Sequence, residues 1–126
     1  MKLIRSGFIL YVQKYRECVD FYRDIIGLER MFSTADLTCF EFGNSYLMIE
    51  IDGKMAERNP AGNFSSCLRM NVSNVRAMAN RLVDLGVNVD YQEHSWGAVA
   101  KFFDPDGNLC ALRDDETFEQ QIGTFA

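Results

Sequence analysis

The chain has 126 residues, 48% of them hydrophobic, enough to bury a core of its own and too few for two ordinary domains. Thirteen Lys and Arg against 18 Asp and Glu give a net charge of −5 with no dense basic cluster, which argues against nucleic acid as a partner. Charged residues interrupt every apolar run well short of the ~20 residues that cross a bilayer, so no membrane partner is expected. The opening Met1-Lys2-Leu3-Ile4-Arg5-Ser6 lacks a signal-type apolar stretch, and a cytoplasmic location follows as the expectation. Cys18, Cys39, Cys67 and Cys110 are widely separated within apolar patterns, as suits reduced, buried thiols better than a disulfide frame or a metal knuckle.

In chain order, Phe8 to Val12 reads as a strand of β-branched and aromatic residues. Tyr15, Cys18, Val19, Tyr22 and Ile25 then recur at helical spacing up to Gly27, a candidate C-terminal cap. The pattern turns extended from Met31 to Phe42, with one strand placed loosely between Leu28 and Leu37. Gly43-Asn44-Ser45 supplies a turn before a strand from Tyr46 to Ile51. Residues 53–65, with Gly53, Pro60 and Gly62, form a polar linker.

A strand from Cys67 to Val72 follows, then a second helical stripe of Val75, Met78, Ala79, Leu82 and Leu85 that closes on Gly86. Each of those five positions lies 60 residues beyond its counterpart in the first stripe, which argues for an internal repeat. After Val87 to Val89, a polar connection through Glu93-His94-Ser95-Trp96-Gly97 leads into an extended run to Phe103. Asp104-Pro105-Asp106-Gly107 then turns the chain into a final strand, Leu109 to Leu112. In that turn Pro105 presets φ and Asp104 can bond the backbone two residues on. This reading is favoured over Asp104 and Asp106 as metal ligands or acid/base groups. Both halves therefore read β-α-β-β-β: module 1 over about 5–52, module 2 over about 66–113. The acidic tail, 114–126, is expected to fray, with Phe118, Ile122 and Phe125 a candidate docking edge.

Strand alternation assigns the faces. Leu68, Met70 and Val72 oppose Cys67, Arg69 and Asn71; Leu47, Ile49 and Ile51 oppose Tyr46, Met48 and Glu50; Cys110 and Leu112 oppose Leu109, Ala111 and Arg113. The first set of each trio packs on a helix. The second forms a face that is either merely wet or the lining of a cavity for a polar organic molecule.

Leu10-Tyr11-Val12, Phe21-Tyr22-Arg23-Asp24-Ile25-Ile26-Gly27-Leu28, Trp96-Gly97 and Phe103-Asp104-Pro105-Asp106-Gly107-Asn108 together resemble the vicinal oxygen chelate superfamily, which includes glyoxalase I, bleomycin-resistance proteins and extradiol dioxygenases. The likeness runs from Phe8 to Leu112. It implies an α+β fold of tandem β-α-β-β-β modules whose mixed sheet forms a cup, often completed in a homodimer. It also implies a divalent metal held at four positions, which fall here at Gly7, Glu50, Cys67 and Ala111. Gly and Ala supply no donor, so a family-type metal centre is not expected and no cofactor is assigned.

These readings converge on a small organic ligand bound without metal, as in bleomycin resistance, by Tyr11, Tyr46, Met48, Glu50, Cys67, Arg69, Asn71, Trp96 and Arg113. The acidic chain would steer a cationic guest. Arg69 and Arg113 could instead grip an anion or form outward salt bridges. Trp96 serves either as core or as a stacking wall, and His94 reads as an exposed loop residue or, less readily, as a base. Two alternatives stand: a lactoylglutathione lyase-like metalloenzyme with Glu50 as base, and a dimerisation module.

Overall fold

The computed structural model describes residues 2–52 and 66–125; the expected linker lies outside them. The chain falls into two compact units, residues 1–64 and 65–126, and each builds its own sheet and core.

The first unit runs β1 (Gly7–Val12), α1 (Tyr15–Asp20) continuing as a π-helix over Phe21–Ile26, β2 (Arg30–Ser33), β3 (Leu37–Phe42) and β4 (Ser45–Ile51). The three strands joined by tight turns pair antiparallel, whereas β1 joins β4 in parallel, giving the order β1-β4-β3-β2. Leu10, Val12, Phe40, Leu47 and Ile49 form the sheet side of the core, and Cys18, Phe21 and Tyr22 the helix side. Of these, the helical stripe marks Cys18 and Tyr22 and strand alternation marks Leu47 and Ile49; Phe21 and Phe40 are additions that the structure makes. The helix stops where expected: Gly27, at φ 87°, lies in the left-handed region and its N–H bonds to the Tyr22 carbonyl at 3.1 Å.

The second unit repeats the plan with β5 (Leu68–Val72), α2 (Val75–Asp84), β6 (Asp90–His94), β7 (Gly97–Phe103) and β8 (Leu109–Asp114), and adds α3 (Asp115–Phe125). Strand order is β5-β8-β7-β6, again with the first strand parallel to the last. Asn74 caps α2 by accepting the Ala77 N–H at 3.0 Å. Val75, Ala79 and Leu82 of that helix are buried, as are Leu68, Phe102, Cys110 and Leu112 of the sheet. Asp104 builds the β7–β8 turn as its sequence implies. One carboxylate oxygen accepts the Asp106 and Asn108 backbone N–H groups, both at 2.9 Å, and the other accepts the Asn108 side-chain amide at 2.8 Å.

Three expectations are corrected. The tail forms a helix, not a frayed end: Asp114 caps α3 through the Thr117 backbone N–H at 2.7 Å and hydroxyl at 2.5 Å, and its other oxygen takes the Ala98 N–H at 2.9 Å. His94 ends strand β6, pairing with Gly97 across a turn at Ser95-Trp96, so it is not a loop residue. Cys67 is exposed, while the other three thiols are buried, and none of the four is in a disulfide.

The bonds to Thr117, above all its hydroxyl, hold the Asp114 carboxyl below the usual carboxylate range. A depressed folded-state pKa contributes stability above the unfolded value, ~3.9, and loses it as pH falls through the folded value. Far-UV circular dichroism should therefore show Asp114→Asn less helical than wild type at pH 7, the two curves converging in acid as the pH falls through the depressed folded-state value. Parallel curves from pH 7 to 2 would refute this coupling.

Candidate functional site

In the first unit, β1 and β4 turn Gly7, Ile9 and Tyr11 and their register partners Tyr46, Met48 and Glu50 away from the helix. Ile9, Tyr11 and Phe32 are exposed, and Tyr46, Met48 and Glu50 half-buried, so this face presents apolar and aromatic surface with one carboxylate.

The register also tests the fit of a metal. Ala111 pairs with Arg69, two residues beyond Cys67; in the first unit the same step from Gly7 leads to Ile9, whose partner is Met48. Met48, not Glu50, is thus the internal counterpart of Ala111. Glu50 pairs with Tyr11, four residues from Gly7, or about 13 Å along the strand. The placement of the fourth-strand corner at Glu50 is corrected accordingly. The Tyr46 ring lies over Gly7, where any Cβ would collide with it. A glycine under a phenol, a methionine, an exposed thiol and a buried alanine do not make a site for a hard or borderline divalent ion. Among the described residues no group of three or more His, Cys, Asp or Glu side chains could hold one.

In the second unit the face opposite α2 carries a cavity of about 200 Å³ lined by Arg69, Asp90, Gln92, His94, Trp96, Val99 and Lys101. The pleat explains the set: Asp90, Gln92 and His94 alternate along β6, opposite Lys101, Val99 and Gly97 of β7. The His94 and Trp96 rings stack with centroids 4.7 Å apart and planes 7° from parallel. Trp96 is 42% exposed, so it is a wall and not core. Glu93 points to the other face, where it bonds Arg76 at 3.1 Å and the Tyr91 hydroxyl at 2.9 Å. Those two donors lower the Glu93 pKa, and the carboxylate raises that of Tyr91. Glu93 is therefore engaged away from His94. Two cations, Arg69 and Lys101, face a single carboxylate, Asp90, so the cavity is locally positive in an acidic chain.

Two predicted binding residues are taken up by α3. Asn71 donates to Asp115 at 3.0 Å. Arg113, 2% exposed, donates to the Trp96 carbonyl at 3.0 Å and reaches Thr117 and Gln121 at 3.5 and 3.4 Å, with its guanidinium 4.7 Å from the Trp96 ring centroid. Alternation places Arg113 correctly on the face away from α2, but a helix covers it there. Of the predicted residues in this unit, Arg69 and Trp96 line the cavity. His94, Gln92 and Asp90 of β6 and Lys101 of β7 were not assigned to it; Lys101 alternates with Ala100 and Phe102 along β7, whereas β6 carries no apolar alternation to mark its faces.

No curated protein matches the chain. Solved structures of the same fold include a lactoylglutathione lyase from Agrobacterium tumefaciens, with TM-score 0.74, 20% identity and coverage of 90% of this chain and 94% of that one. TnmS3, an antibiotic-binding protein from Streptomyces sp. CB03234, gives TM-score 0.74 and 22% identity over 90% and 96% of the two chains. A glyoxalase/bleomycin resistance protein from the same Streptomyces gives 0.67 and 24% over 87% and 99%. These show the duplicated α+β fold. The profile of the Glyoxalase/Bleomycin resistance protein/Dioxygenase superfamily matches residues 6–112, which span both modules, and the chain belongs to that superfamily.

Proposed function

We propose that this protein binds a small organic molecule without a metal ion and sequesters it, as the bleomycin-resistance branch of the superfamily does. What carries the reading is the second-module cavity, where Arg69 and Lys101 flank a stacked His94–Trp96 wall. The donor-poor corners described above support the metal-free part. At about 200 Å³ the cavity is smaller than a whole-ligand pocket and suits a flat ring with one acidic group, the rest of the ligand lying outside. The expectation of a cationic guest is replaced by an anionic one: steering follows the net charge of −5, but a contact follows the local pair of cations. An antibiotic-binding protein of the same fold, TnmS3, is consistent with sequestration as the role. The reading includes a cytoplasmic location and a homodimer, the latter tested by sedimentation of the purified chain.

The single Trp of the chain reports on the site directly. Titration with 2-naphthoate should quench Trp96 fluorescence and raise the melting temperature by mass action. Arg69→Gln should weaken binding about tenfold, the loss of one charge-assisted contact of ~1.4 kcal/mol. A cationic naphthylmethylamine that binds better than the acid, or binding abolished by prior treatment with a chelator, would refute the proposal.

A further inference from the structure

The first module holds a second cavity, about 450 Å³, on the side of the sheet that faces the helix. Tyr15, Val19 and Arg23 line it from the helix, and Arg30, Ser33, Thr34, Thr38 and Phe40 from β2, β3 and the loop after β2. Its placement follows from the strand register, which sets Arg30 beside Phe40 and Ser33 beside Thr38 on the helix-facing side of the outer strands. Tyr15, Val19 and Arg23 succeed one another at four-residue spacing. In an α-helix each such step drifts by about 40°, and the wider π turn over Phe21–Ile26 opposes that drift, keeping Arg23 on the cavity side.

The donors of this cavity are largely unspent. The Tyr15 and Thr38 hydroxyls lie 2.7 Å apart, and those of Ser33 and Thr38 3.2 Å. Three hydroxyls sharing two hydrogen bonds leave at least one O–H to donate outward. Thr34 accepts the Asp36 N–H at 3.2 Å and keeps its own hydrogen. Arg23 is fixed by Asp24, which its Nε and Nη2 meet at 2.9 Å, and by Asp20 at 2.7 Å. Those bonds occupy three N–H groups and leave the two on Nη1. The Arg30 guanidinium has no partner among the described residues. The lining thus offers two guanidinium groups and four hydroxyls over an apolar floor of Val19 and Phe40; Asp20 and Asp24 already balance Arg23, so the uncompensated positive charge is that of Arg30.

We propose that this cavity is a second binding site, distinct from the one in the other module, for a small organic anion. Its phosphoryl or carboxylate group sits between Arg30 and Arg23 with the Ser33–Thr38–Tyr15 hydroxyl chain donating to it, and its hydrocarbon body rests on Val19 and Phe40. The volume is that of a small-metabolite site, and the bidentate fork of Arg30 fits either oxyanion.

The test uses the ¹⁵N-labelled full chain and three probes of one size: phenyl phosphate, phenylacetate and benzyl alcohol. Phenyl phosphate or phenylacetate should shift the amide resonances of Ser33, Thr34 and Thr38 with saturable dependence, and the stronger of the two identifies the acidic group. Arg30→Gln, at an exposed position, should weaken that binding at least tenfold, while Arg69→Gln leaves it unchanged. Thr38→Val should weaken it less, with a modest fall in melting temperature from the lost Tyr15 and Ser33 bonds. Equal shifts with benzyl alcohol, none with either anion at 10 mM, or an Arg30→Gln protein that binds as wild type would overturn the proposal. Trp96 fluorescence reads the other module, so either site can fail without the other.

Discussion

Asp104→Ala should lower the stability of the chain by about 3 kcal/mol, seen as a fall in melting temperature of about 10 °C or more. The carboxylate is 4% exposed and accepts three hydrogen bonds that close the β7–β8 turn. Bonds to a charged acceptor are worth ~1.5–3 kcal/mol each net, but here they share one rigid turn and are not additive. A chain of this size loses roughly 3–5 °C per kcal/mol. Asp104→Asn should fall between: its oxygen keeps the two backbone bonds, and its amide meets the Asn108 amide donor to donor. A ladder of wild type, Asn and Ala in thermal melts is the expected outcome. Equal melting temperatures for wild type and Ala would show that Pro105 and Gly107 set the turn unaided.

The second large effect is expected at Gly97, where β7 begins. Its φ of 144° belongs to glycine, and an added Cβ would come within 2.7 Å of an Asp114 carboxylate oxygen and 3.1 Å of Arg113 Nε, besides colliding with the Thr117 hydroxyl. All three groups belong to the joint that ties α3 to the sheet. Gly97→Ala should therefore cost about 2–4 kcal/mol through backbone strain and overpacking together. It should also unseat α3, reducing helical dichroism, and shift the emission of Trp96, whose carbonyl and ring both meet Arg113. Thr117→Ala in the same chain should recover part of the loss by vacating the nearest obstacle. A melting temperature within 2 °C of wild type for Gly97→Ala would contradict this account.

How much of this was legible in the sequence depends on which physical signal each element carries. Helices α1 and α2 and the strands around Leu47, Leu68 and Phe102 announce themselves because one face of each is buried and the other is not. Strand β6 has no such contrast: only Tyr91 is apolar, and most of the strand is exposed, so Glu93 and His94 read as a connection. The α3 helix carries Phe118, Ile122 and Phe125 at helical spacing but buries none of them fully, and a run of acidic residues masks the stripe. Its legible mark was the Asp114-x-x-Thr117 cap. The motif carry-over that placed a fourth-strand corner at Glu50 does not fix register, and the register sets Met48 there; alternation gives the side on which a residue stands but cannot announce that a later helix will return over Arg113. The π winding of Phe21–Ile26 left no trace in the stripe of Tyr15, Cys18, Val19, Tyr22 and Ile25.

The phenol resting on position 7 makes what that position can hold depend on position 46. A histidine reintroduced at Gly7 meets the Tyr46 ring first, so the single change Gly7→His should destabilise the chain, whereas the same change made after Tyr46→Ala fills a vacated space. The two substitutions should show a favourable coupling in a double-mutant cycle. A larger side chain fits at position 7 without displacing an aromatic ring only where position 46 is small.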